Sequence, residues 1–239
     1  MRKRNICMCL LFIVMMSLLI YGCNDNINRI GDFKVKRSRK VPNGYEIIKY
    51  FGSGQNISIP QKYKNKNIVG IGERVFENRL NIERIDIPSN IKYIEYDAFK
   101  KCNNLEKVTF NEGLKEIGWG AFNGTKISRI DMPTTLDSIG IEAFGDCEKL
   151  KTVILNERLK KIGSGAFKHT PIEEIIIPKF VYEMGKEVFF ECGSLKKIYC
   201  KVKSRPAGWD DGWNLYKDNG WRGGLIDREF HDVLWGYVG

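Results

Sequence analysis

The 239-residue chain carries only two histidines, His169 and His231, and neither sits in a nucleophile motif, so a Ser/His/Asp or Cys/His catalytic arrangement has little to build on. There is no Cys-x-x-Cys pair to suggest zinc, and no Gly-rich phosphate loop. Acid pairs such as Glu173 with Glu174 or Asp210 with Asp211 are adjacent in sequence, and adjacent strand residues point to opposite faces, so they read as surface charges. These absences argue against an enzyme and leave no catalytic residue, metal site or cofactor to assign. The apolar run from Ile6 to Tyr21 is sixteen residues long, below the roughly 20 that a transmembrane helix needs.

That run follows Arg2, Lys3 and Arg4, which together make the charged and apolar regions of a secretory signal over residues 1–22. It ends in Gly22–Cys23, which resembles the site where bacteria cleave a prolipoprotein and attach lipid to the new terminal cysteine. Acyl chains on Cys23 would hold the protein at a membrane, each buried methylene contributing about 0.8 kcal/mol. An ordinary signal peptide, giving a secreted protein, or a short uncleaved anchor are the other readings. Loss of residues 1–22 removes three basic and no acidic residues, taking the formal charge from +10 to +7. Residues 23–44 are then the lipid site and a basic tether, holding Arg29, Lys34, Lys36, Arg37, Arg39 and Lys40 against Asp25 and Asp32.

Beyond it one phrase recurs six times: IGERVF, IEYDAF, IGWGAF, IGIEAF, IGSGAF and MGKEVF. Its phenylalanines, Phe76, Phe99, Phe122, Phe144, Phe167 and Phe189, are 22 or 23 residues apart, a period that means a solenoid. Each repeat has about seven apolar positions, as in Leu105, Val108, Phe110, Leu114, Ile117, Ala121 and Phe122, too few to close a core without stacked neighbours. The β-branched segments VTF, IDM, VIL and III predict one short strand per repeat, pairing in parallel along one side. The remainder is too short and Gly-rich for a full helix, and Gly72, Gly118, Gly140, Gly163 and Gly185 mark a tight corner.

The repeated sentence LxxVxIPxxVxxIGxxAFxxC resembles the BspA-like leucine-rich repeats of bacterial surface proteins, over roughly residues 45–239. The resemblance implies a mainly β leucine-rich repeat solenoid used for binding, placed in the bacterial envelope and exposed at the surface. It suggests adhesion to host or neighbouring cells through a protein or extracellular-matrix ligand. No catalytic residues and no particular ligand come with it.

The solenoid proper is expected over 71–200, with a β-rich amino-terminal cap at 45–70 and a Trp-rich carboxy-terminal cap at 201–239. Trp209, Trp213, Trp221 and Trp235 lie in this last segment. They either plug the open end of the solenoid, as the resemblance suggests, or offer flat sugar-stacking platforms, with Trp209 and Trp213 as candidates for a carbohydrate-binding function. Cys102, Cys147 and Cys192 recur every 45 residues, two coils apart. At about 4.8 Å per strand they stand near 10 Å from one another, too far for a disulfide. They should therefore be buried free thiols, while Cys200 would meet Cys192 only if the cap folds back.

On the outward face of the predicted strands one column runs Arg84, Lys107, Arg129, Thr152, Glu174, Lys197 and the other Asp86, Thr109, Asp131, Ile154, Ile176, Tyr199. The second turns from polar to apolar halfway along. Ile154, Ile176 and Tyr199, rimmed by Glu174 and Lys197, are thus a candidate binding patch, unless the Trp-rich cap folds over and buries them. Basic residues in the first half alternate with Asp86 and Asp131, a mixed field that argues against a nucleic-acid face, as does export.

Overall fold

The computed structural model describes residues 29–222 and 225–238, so the signal segment and Cys23 lie outside the described residues. Among the described residues there is no helix; the chain winds into a mainly β solenoid. Each coil contributes two short strands where the sequence predicts one. The β-branched strand forms one face, and a two-residue strand at the LxxIG corner forms the other.

On the corner face, strands run in order from Tyr45–Tyr50 through Lys66–Ile71, Tyr93–Ile94, Glu116–Ile117, Ser138–Ile139 and Lys161–Ile162 to Glu183–Met184. All pair in parallel with equivalent repeat positions opposed, as in Ile94, Ile117, Ile139 and Ile162. The other face is three parallel groups: Asn56–Ser58, Arg84–Ile87 and Lys107–Phe110; Arg129–Asp131 and Thr152–Ile154; Glu174–Ile177, Lys197–Cys200 and Val233–Trp235.

Between the faces lie the six repeat phenylalanines, each 0% exposed. Their rings stack within 9° of parallel at centroid spacings of 4.8–5.9 Å. Behind them, Cys102, Cys147 and Cys192 are buried free thiols whose Sγ donates to the carbonyl oxygens of Phe76, Phe122 and Phe167. Thr125 and Thr170 fill the same place in the intervening coils, each hydroxyl donating to its own coil's phenylalanine carbonyl. Burial pushes the Cys102 and Cys147 thiols up, to about 12 and about 11. Cys200 is likewise buried and free.

The corner glycines work differently from a left-handed turn. Gly118, Gly140, Gly163 and Gly185 do not have positive φ; a Cβ on any of them would lie 2.4–2.8 Å from backbone of the preceding coil. They are the places where one coil passes closest to the next. Positive φ falls instead at two sites per coil, as at Asp97 and Lys101 or Glu142 and Asp146. At these sites the backbone N–H turns out of its own coil to a carbonyl of the next: Asp97 N–H reaches Trp119 O at 2.8 Å and Lys101 N–H reaches Asn123 O at 2.8 Å.

Both ends are closed by aromatic rings. At the amino end the basic stretch departs from a tether: Arg29–Ile30 and Phe33–Arg37 are antiparallel strands, the second paired to Tyr45–Tyr50. Phe33 and Val35 are buried, and Phe33 and Tyr50 lie against Phe76 at 6.4 and 5.2 Å. Two cations of this stretch are engaged with acids of the first coils, Lys36 with Glu46 and Lys40 with Glu95 and Glu116, while Arg29 and Arg37 lie over the rings of Phe51 and Tyr45.

At the carboxy end residues 208–216 imitate a seventh coil. Trp209 bridges Met184 in the corner sheet, and the N–H groups of Glu187, Val188 and Glu191 bond to the carbonyls of Gly212, Trp213 and Tyr216. Trp213 thereby packs edge-on against Phe189 at 6.3 Å. An antiparallel hairpin, Leu215–Arg222 with Leu225–Phe230, follows, and Val233–Trp235 returns to extend the other face.

Candidate surface cleft on the strand face

The strands alternate strictly, so Ile175, Ile177, Ile198 and Cys200 enter the core while Glu174, Ile176, Lys197 and Tyr199 stay on the outward face. Ile154 and Ile176 are 47% and 41% exposed, with Tyr199 half-buried. Register sets Asp131 opposite Ile154 and Ile176 opposite Tyr199, and Tyr199 opposite Leu234. The polar-to-apolar change along this column is therefore real in space, and it continues one strand further than the repeats do.

The cap leaves the patch open. Val233–Trp235 joins the sheet beside Tyr199 and adds Leu234, 43% exposed, while Tyr237 sets its ring 4.8 Å from that of Tyr199. The result is a cleft of about 490 Å³ with Ile154, Ile176, Pro178, Tyr199 and Tyr237 as its apolar lining and Glu157, Glu174 and Lys201 at its rim. Lys201 bonds Glu157 at 2.8 Å, and Lys197 stands in register with Glu174 beside the cleft. Leu234 and Tyr237 were outside the sequence-predicted site; the strand-like ending HDVLWGYVG was their only signal, and it did not say which sheet the strand would join.

Trp209 and Trp213 are 3% and 2% exposed, and the Trp209 indole N–H donates to Val181 O at 3.0 Å, so neither ring has a face to offer a sugar. On the polar half of the strand face Arg129 is held by Asp131 through two hydrogen bonds of 2.7 and 2.9 Å, which neutralises its charge locally. His169 Nδ1 lies 2.6 Å from Asp146, and His231 Nε2 meets Phe189 O, so both side chains are engaged in cross-coil structural contacts. Burial lowers the pKa of His231, and no group of three potential metal ligands occurs among the described residues.

A stack of short parallel coils, closed at both ends and carrying an open apolar cleft on its strand face, defines a leucine-rich repeat scaffold, a class that generally mediates protein binding. The BspA-type leucine-rich repeat region matches residues 49–200 in six copies, and the chain belongs to that family. A leucine rich cell surface protein from Faecalibacterium prausnitzii is similar at 25% identity and TM-score 0.56, the match covering 80% of this chain and 58% of that one. The pneumococcal vaccine antigen PcpA shares 20% identity at TM-score 0.57 over 82% of this chain and 52% of its own. The leucine-rich repeat protein of T. pallidum shares 22% at TM-score 0.52, covering 72% and 70%. The chain thus spans little more than half of the first two. No curated protein matches it.

Proposed function

We propose that the chain is a non-catalytic binding protein of the bacterial cell surface, which grips a protein or extracellular-matrix ligand in the cleft over Ile154, Ile176 and Tyr199, with Tyr237 completing it and Leu234 extending the same face beside Tyr199. The observation that carries this is the apolar column: three neighbouring coils and the returning strand present Ile, Ile, Tyr and Leu on a face that elsewhere carries charge. Full burial of an isoleucine is worth about 1.5–3 kcal/mol, so each half-exposed one has about 1 kcal/mol to give a partner. Family membership and the cell-surface relative support the location.

The test is Ile176→Asp, read by thermal melting and by binding to a panel of matrix proteins. The substitution should leave the melting midpoint within about 2 °C, as expected at an exposed position, and weaken binding tenfold or more. Undiminished binding would remove the cleft from consideration, and a collapse of stability would assign the column to the core.

Anchoring through Cys23 is the companion proposal, motivated by the Gly22–Cys23 junction after the apolar run. Metabolic labelling with a fatty-acid probe should mark the wild type and not Cys23→Ala. Equal labelling of the two rules it out, and protease shaving of intact cells reports exposure independently.

A further inference from the structure

A second cleft lies across the turns from the first. The turn after Thr152–Ile154 puts Glu157 at the first cleft and Arg158 at the second; one coil on, Pro178 and Phe180 divide the same way. The second cleft, about 460 Å³, is lined by Lys115, Arg158 and Lys160, with Asp137 as its one carboxylate and Phe180 and Tyr182 at one end. Asp137 is shared between Lys160 at 2.8 Å and Lys115 at 3.9 Å, and the Arg158 guanidinium meets no carboxylate among the described residues. Positive charge is therefore in excess there. Phe180 is 61% exposed and Tyr182 52%, with Lys161 Nζ 5.7 Å from the Tyr182 ring centre.

We propose that this cleft binds an anionic polysaccharide, a chain of sulfated or uronate sugars. Its acid groups would meet Arg158, Lys115 and Lys160, and a pyranose would lay its C–H face on Phe180 and Tyr182. A peptide is the poorer fit because four main-chain N–H groups along the cleft are already used within the coil ladder. The N–H of Lys115, Asp137, Lys160 and Tyr182 is each bonded to the preceding coil, at Lys92, Lys115, Asp137 and Lys160 O respectively. Recognition then rests chiefly on side chains, three cations and two aromatic rings, with Thr134, Thr135 and Asp137 beside them. This site is independent of the apolar cleft and shares no residue with it.

Calorimetric titration of the full chain with a heparin-derived hexasaccharide, with poly-L-glutamate as the acidic-peptide arm, tests the assignment. The hexasaccharide should bind, and binding should weaken between low and physiological salt. Arg158→Gln and Phe180→Ala should each weaken it about tenfold, while Ile176→Asp leaves it unchanged. Both altered residues are exposed, and circular dichroism verifies the fold; should Phe180→Ala unfold, Tyr182→Ala takes its place. Absence of binding overturns the proposal. So does poly-L-glutamate binding equally well, which would mean an acidic protein partner, and so does full affinity without the ring, which would mean unspecific charge attraction.

Discussion

At the scale of the residue, the corner glycines are the most constrained positions in the chain. A Cβ on Gly140 would lie 2.6 Å from the Gly118 carbonyl carbon, 2.7 Å from Trp119 N and 2.8 Å from Gly118 O. All three obstacles are backbone of the coil below, tied into the ladder by Gly140 N–H to Ile117 O at 2.8 Å, so nothing can step aside. Gly140→Ala should cost roughly 3 kcal/mol and lower the melting midpoint by roughly 6–12 °C. Gly193→Ala, whose nearest neighbour is Tyr216 Oη at 3.8 Å, is the control and should change little. Equal effects of the two would refute crowding as the cause. The glycine column was legible in the sequence, but its reason was not. A tight corner and a close approach between coils both ask for glycine, and only the path of the neighbouring coil tells them apart. Glu95 stands in this column in the second coil and instead carries the ion pair to Lys40 at 3.0 Å.

At the scale of the element, period, residue order and the inward alternation of the long strands made the solenoid, its strand face and the column Ile154, Ile176, Tyr199 readable in advance. The corner strands were not, because two residues cannot display an alternation. The amino-terminal hairpin has the composition of a tether because Arg29, Lys34, Lys36, Arg37, Arg39 and Lys40 dominate it, although Phe33 and Val35 alternate with lysine in the manner of a half-buried strand. The hairpin closes the phenylalanine stack, and this can be measured. Phe33→Ala removes a 7%-exposed ring from contact with Phe76 and should cost about 3 kcal/mol in denaturant unfolding. Arg39→Ala, in the same basic stretch but exposed, should stay within about 0.5 kcal/mol. A tether would show no difference between the two.

At the scale of the whole molecule, every coil is covered only by the coils beside it, so stability should grade along the stack and be lost first from an opened end. Tryptophan count alone could not decide between plug and platform, because the choice depends on how residues 208–216 continue the turn ladder. That continuation seats Trp213 on Phe189, and the final strand, Val233–Trp235, extends the strand face beside Tyr199. Three buried thiols report the gradient: Cys102 in the second coil, Cys192 in the sixth, and Cys200 on the strand after it. Burial holds Cys102 and Cys200 up at about 12 and raises Cys192 as well, so none is reactive near neutral pH until its coil opens. Trp213→Ala should remove about 3–5 kcal/mol of packing at the carboxy end. Under native conditions its alkylation should then accelerate at Cys192 and Cys200, while Cys102, five coils from the defect, keeps its wild-type rate. Equal acceleration at all three would mean that the stack opens as one cooperative unit, in which case the caps stabilise the whole array and not just the coil they cover.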